Sequence, residues 1–224
     1  MGGKLFPFLI IFFVLPESSV FAQNASSYFY ENELGISLFL DKEWSMDIGV
    51  GNRGMLQERS NGERISGYQH DHLELNHFTN YKTNESLMLS LGLRYRFREM
   101  FNSLSTDEFR IIEQAEISPQ ASVFSHRVRL EQRFREIIIH RLRYELSFSR
   151  PLGSSYDFIA ATEALYAVAA EAKPEAEQRF SIGIENTSFK DLELGLGFEY
   201  RMENYARQLA HEFFLTTELT LNLN

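Results

Sequence analysis

Cysteine is absent from the 224 residues. That excludes disulfide stapling and Cys-ligated zinc or iron–sulfur chemistry, and it excludes an N-terminal lipoprotein anchor. Positive charge is in deficit, with 22 Lys and Arg against 31 Asp and Glu and a formal net charge of −9. Such a balance is unsuited to a phosphate backbone, so no nucleic-acid partner is expected. Beyond Ala22 no apolar run reaches the roughly 20 residues that a membrane helix needs. The mean hydropathy of −0.27 has the look of a water-soluble protein. That average misleads for a membrane barrel, whose strands need an apolar residue only at every second position.

What is present begins with a secretory signal peptide over Met1 to Ala22. Lys4 supplies the positive start, Leu5 to Leu15 the apolar run, and Val20-Phe21-Ala22 the residues before a cut after Ala22. The run is too short to span a bilayer, and Pro16 and Glu17 end it. The mature chain, residues 23–224, is expected to be exported as a single domain.

The stretch Phe124 to Phe148 organises the rest. Arg127, Arg129, Glu131 and Arg133 alternate with Val128, Leu130, Gln132 and Phe134. After REII, Arg141, Arg143, Glu145 and Ser147 alternate with His140, Leu142, Tyr144, Leu146 and Phe148. Successive side chains of a strand point to opposite faces, so this pattern predicts a hairpin with one charged and one apolar face.

The same alternation recurs along the chain. Strands are predicted at Tyr28 to Leu40, Trp44 to Leu56, Tyr68 to Tyr81, Leu87 to Arg98 and Phe109 to Ile117, then in the hairpin just described. Further strands follow at Arg179 to Thr187, Leu192 to Met202 and from Gln208 to the end. Arg59 to Gly67 and Met100 to Asp107 read as loops. Asp157 to Ala172 is rich in alanine, which favours helix; it is taken here as a strand with Glu163 pointing inward. Several segments exceed the usual 5–6 residues of a soluble strand and match the roughly 9–11 needed to cross a membrane at a tilt. The count is about eleven. Bacterial single-chain barrels have even numbers, so ten or twelve strands are expected.

The charged faces hold arginine and glutamate in near-equal measure. Facing strands can pair them and so offset the desolvation of an isolated charge. Tyr30, Tyr95, Phe97, Tyr144 and Phe148 sit near strand ends on the apolar faces, as in an aromatic belt at a membrane interface. The fold expected is an all-β, antiparallel transmembrane barrel with lipid outside and charge inside. Alternation does not say which face is inside, so a soluble periplasmic barrel around an apolar ligand is the alternative.

Several stretches together resemble a known family. They are HRVRLEQRF (His126 to Phe134), RLRYEL (Arg141 to Leu146) with Pro151, Glu163, EQRFSIGI (Glu177 to Ile184), Tyr200 and His211. The family is known as domain of unknown function 2490, widespread in Bacteroidetes and taken to be outer-membrane β-barrels. The resemblance covers most of the mature chain. It implies a fold and an outer-membrane location, and it implies no chemistry. In the outer membrane of a Gram-negative bacterium, lipid, lipopolysaccharide and, during biogenesis, the barrel assembly machinery are the expected partners. Many outer-membrane barrels end in an aromatic residue; this sequence ends Leu223-Asn224.

Candidate chemistry is sparse. Gly49-Val50-Gly51-Asn52-Arg53-Gly54 matches GxGxxG, but no amphipathic helix follows it, so the match reads as strand glycines sparing space in a barrel. His70, His72 and Glu74 share one face at two-residue spacing and are weak candidates for a divalent metal; a polar inner wall explains them as well. The His-x-Ser pair of outer-membrane lipid hydrolases is absent from all six histidines. Ser147 and Ser149 face inward and His140 outward, which argues against a hydrolase on lipid or lipopolysaccharide.

The inward set comprises Arg94, Arg96, Arg127, Arg129, Glu131, Arg141, Arg143, Glu145, Glu163, Arg179 and Glu199. It reads either as a salt-bridge plug or as the lining of a narrow, anion-selecting passage. No catalytic residue and no cofactor is assigned, and the protein is expected to be a monomer.

Overall fold

The computed structural model describes residues 25–98, 106–170 and 172–223. The signal peptide and most of the loop expected at Met100 to Asp107 lie outside the described residues. Among the described residues there are twelve strands and no helix. They are β1 (Ala25–Phe39), β2 (Trp44–Ser60), β3 (Glu63–Ser66), β4 (Gln69–Asn84), β5 (Leu87–Phe97) and β6 (Glu108–Ile117). Then come β7 (Phe124–Phe134), β8 (Ile138–Pro151), β9 (Tyr156–Ala169), β10 (Glu175–Asn186), β11 (Leu192–Glu203) and β12 (Ala210–Leu223).

Eleven of these strands close into a barrel. Antiparallel pairing runs unbroken from β1 through β2, β4 and β5 to β12, and β1 then pairs with β12 in parallel, Leu34 beside Leu219. The four residues of β3 flank only the far end of β2. The expectation of an even number is therefore corrected. With eleven strands the first and last run in the same direction, so the seam has to be parallel. A parallel ladder is only slightly less stable per residue than an antiparallel one. Ala25 and Leu223 consequently lie at opposite ends. One end carries the connections 40–43, 85–86, 118–123, 152–155 and 187–191, and is called the turn end here. The other carries β3, the connections 135–137 and 204–209, the end of β5 and start of β6, and the end of β9 and start of β10, and is called the loop end.

Two local expectations change character. Arg59 to Gly67, read as a loop, is mostly the β2–β3 hairpin. It turns through Asn61 and Gly62 at φ of 52° and 85°, the left-handed values that a two-residue hairpin turn requires. The alanine-rich segment is β9, paired in full register with β8 and β10. Ladder hydrogen bonds on both edges override its helix propensity, and Glu163 points inward beside Arg179.

The barrel is inside-out relative to a soluble one. Leu34, Leu91, Leu93, Leu142, Ile182 and Leu196 are exposed on the outer wall. Glu108, Arg110, Glu131, Arg143 and Glu163 are buried on the inner one. Aromatic pairs gather near both rims of the outer face. Trp44–Tyr81 and Phe124–Phe148 stand toward the turn end, and Tyr95–Phe97 and Tyr200–Phe213 toward the loop end.

Candidate functional site: the charged lumen

A strand face closes on itself in a barrel, so every second residue of each strand meets the opposite wall. The inward charges of this chain therefore converge on one cavity of 950 Å³. Glu131 lies deepest, 1 % exposed. Arg143 donates to it at 2.7 Å, and Arg141 and Arg129 stand at 3.6 and 3.8 Å. Arg143 also forks onto Glu163, with both bonds 2.7 Å long. Arg179 joins Glu163 at 3.8 Å to Glu177 at 2.5 Å, and Arg141 reaches Glu177 at 3.5 Å. Arg127 pairs with Glu145 directly across the β7–β8 ladder.

A second cluster occupies β4 to β7. Glu74 accepts from Arg96 at 2.7 Å and meets Arg94 at 3.0 Å. Glu108 takes Arg110 at 2.5 Å and Arg133 at 2.6 Å. A third spans the seam. Glu31 accepts from Arg53 at 2.6 Å, and Arg201 lies 3.6 Å from Glu31 while also pairing with Glu199. Phe214 is wholly buried there, stacked on Phe29, with the Arg201 and Arg53 guanidiniums 3.7 and 4.9 Å from its ring centre. Cations over a ring face are attracted by its quadrupole.

Arg94, Arg96, Arg127, Arg129, Glu131, Arg141, Arg143, Glu145, Glu163, Arg179 and Glu199 each take part in these ion pairs. The inward set read from the sequence did not include Glu31, Arg53, Glu108, Arg110, Arg133, Glu177 and Arg201. Glu31, Arg53, Arg110, Arg133 and Arg201 share the charged parity of their predicted strands, whereas Glu108 and Glu177 lie just before the predicted starts of theirs. Which carboxylate serves which arginine could not be read, because many partners are diagonal neighbours. Arg94 and Arg110 are themselves directly opposed, as are Arg110 and Arg133. Facing like charges repel, and here Glu74 and Glu108 offset the repulsion from the next rung.

His70, His72 and Glu74 do not converge. His70 meets Asn52 at 3.1 Å, His72 meets Asp71 at 3.0 Å, and the ring of His72 stays 4.0 Å from Glu74. Among the described residues no group of three His, Asp or Glu side chains is placed to chelate a metal. The GxGxxG match lies within β2, whose ladder with β1 continues through it and whose ladder with β4 shifts register only between Arg53 and Gly54. Ser147 pairs with Ser125 at 2.6 Å. His126 and His211 bond Tyr144 and Tyr200 instead, at 2.9 and 2.7 Å.

A family model described as "Protein of unknown function (DUF2490)" matches residues 36–210, from the second half of β1 to the first residue of β12. No curated protein and no solved structure matches the chain.

Proposed function

We propose, for a chain that belongs to the DUF2490 family of unknown function, an integral barrel of a Gram-negative outer membrane. In this reading a cross-braced, narrow aqueous passage runs along its lumen. The observation that carries it is the inversion of polarity: Leu34 and Leu196 are each 58 % exposed outside, while Glu131 is 1 % exposed inside. In water that outer wall would be one continuous apolar surface, far beyond the few hundred Å² a soluble monomer tolerates. Against hydrocarbon it costs nothing, and closure gives each of the eleven barrel strands a partner on both sides, as a bilayer requires. The rims of paired aromatics support the same placement.

Inside, paired charges stiffen the wall. The 950 Å³ cavity beside them argues for a passage rather than a solid plug. The charged lumen also argues against a soluble carrier of apolar ligands. Lipid or lipopolysaccharide hydrolysis finds little support, since Ser125 and Ser147 bond each other.

Two experiments test the reading. Cell fractionation should return the chain with the outer membrane, extractable only by detergent. Purified protein in planar bilayers should give small, stepwise, voltage-tolerant currents. Recovery in the detergent-free periplasmic fraction overturns the membrane placement, and silent bilayers overturn the passage.

A further inference from the structure

The charges of the lumen are divided along the barrel. The inward arginines named above are each engaged by a carboxylate, most of them toward the loop end and the middle, with Arg127 paired to Glu145 nearer the turn end on the β7–β8 wall. Toward the turn end, the wall made by β10, β11, β12, β1 and β2 is acidic alone. Glu185, Glu193, Glu218, Glu33 and Asp47 face the cavity from it. No Lys or Arg lies within 4.0 Å of any of the five among the described residues. Their hydrogen bonds come from neutral donors: Asn76 to Glu33 at 3.0 Å, Ser37 and Asn80 to Asp47 at 2.7 Å each, and Asn222 to Glu193 at 2.9 Å.

Two features set the chemistry of this wall. Glu33 and Glu218 are direct register partners across the seam, and Glu185 is partnered by Asp157. Carboxylates set opposite each other repel unless a counter-charge lies between them. The second feature is Asn76, which lines the cavity at 5 % exposure. Its amide nitrogen is spent on Glu33, and its Oδ1 has no hydrogen-bond partner. An orphaned acceptor beside a carboxylate suits a donor or a cation and repels an anion.

We propose that this acidic wall is a cation-accepting vestibule, which draws hydrated inorganic or small ammonium-type cations into the lumen and turns anions away. It rests on the passage of the preceding section. The anion preference that the arginines alone suggest is offset, because the arginines share carboxylates where they stand and these five acidic side chains add negative charge at the turn end. Among the described residues no three carboxylates converge to strip a cation of its water, so the ion is held through its hydration shell by a wall of like charge, on the electrostatic principle by which charged linings select ions in channels.

The test is the reversal potential of the full mature chain in a planar bilayer under a KCl gradient. Potassium should be favoured over chloride by about threefold or more, and E33Q/E218Q combined with E185Q/E193Q should bring the ratio near one. Heat-modified gel mobility confirms that the variant still folds. Chloride preference, or a ratio the substitutions do not move, overturns the vestibule while leaving the passage intact. If wild-type bilayers are silent, the passage fails and the vestibule is read separately, by electron paramagnetic resonance of free Mn²⁺ over the protein in micelles. Fewer bound ions in the fourfold variant than in wild type then uphold it; equal binding overturns it.

Discussion

Arg143 holds Glu163 in a bidentate fork, Nε to Oε1 and Nη2 to Oε2, both at 2.7 Å. Its remaining nitrogen donates to Glu131 at 2.7 Å, so one side chain ties β8 to β7 and to β9. Removing one partner of a buried ion pair costs about 3–5 kcal/mol, because the other is left charged and dry. Arg143→Met is expected to lose that much. Arg143→Lys should recover only part of it, since an ammonium cannot reproduce the fork. Urea unfolding in micelles can be followed through Trp44, the single tryptophan. A methionine variant as stable as wild type would show that the brace contributes little.

Gly92 sits under the ring of Phe78. A Cβ at Gly92 would fall 2.3 Å from Phe78 Cε1 and 2.6 Å from Cδ1. Gly92→Ala should therefore destabilise the barrel by about 1–3 kcal/mol through overpacking. Phe78→Leu in the same chain should relieve most of that loss, which a double-mutant cycle measures as coupling. Additive effects would mean that the ring moves aside freely.

Leu91 lies midway along β5, 53 % exposed on the outer wall. If that wall faces hydrocarbon, Leu91→Arg costs about 2–4 kcal/mol, the depth-dependent cost of a cation near a bilayer midplane. If it faced water, the change would be worth roughly 0.5 kcal/mol or less. Unfolding of the two proteins in lipid vesicles separates the cases.

The parallel seam has its own test, made simple by the absence of native cysteine. Leu34 and Leu219 are register partners on β1 and β12. Neighbouring Cα atoms in a ladder lie within the roughly 4.4–6.8 Å that a disulfide spans. L34C/L219C is expected to crosslink on mild oxidation and to change gel mobility. L34C paired with a cysteine at Glu212, far along β12, should not. Crosslinking of both pairs, or of neither, would refute the register.

The alternation of Leu87 to Phe97, or of Arg127 to Phe134, told the fold class and sorted each side chain onto one of two faces. That much is local physics, since a strand's period of two is a property of its own backbone. The alanines of β9 carried no such signal, because small side chains occupy both its faces, and only its two neighbours made it a strand. Whether the leucines or the arginines faced inward, that eleven strands close with β1 beside β12, and that Glu33 meets Glu218 across the seam were settled in three dimensions. Closure and register are hydrogen-bonding relations between segments far apart in the chain. No stretch of sequence contains its own partner.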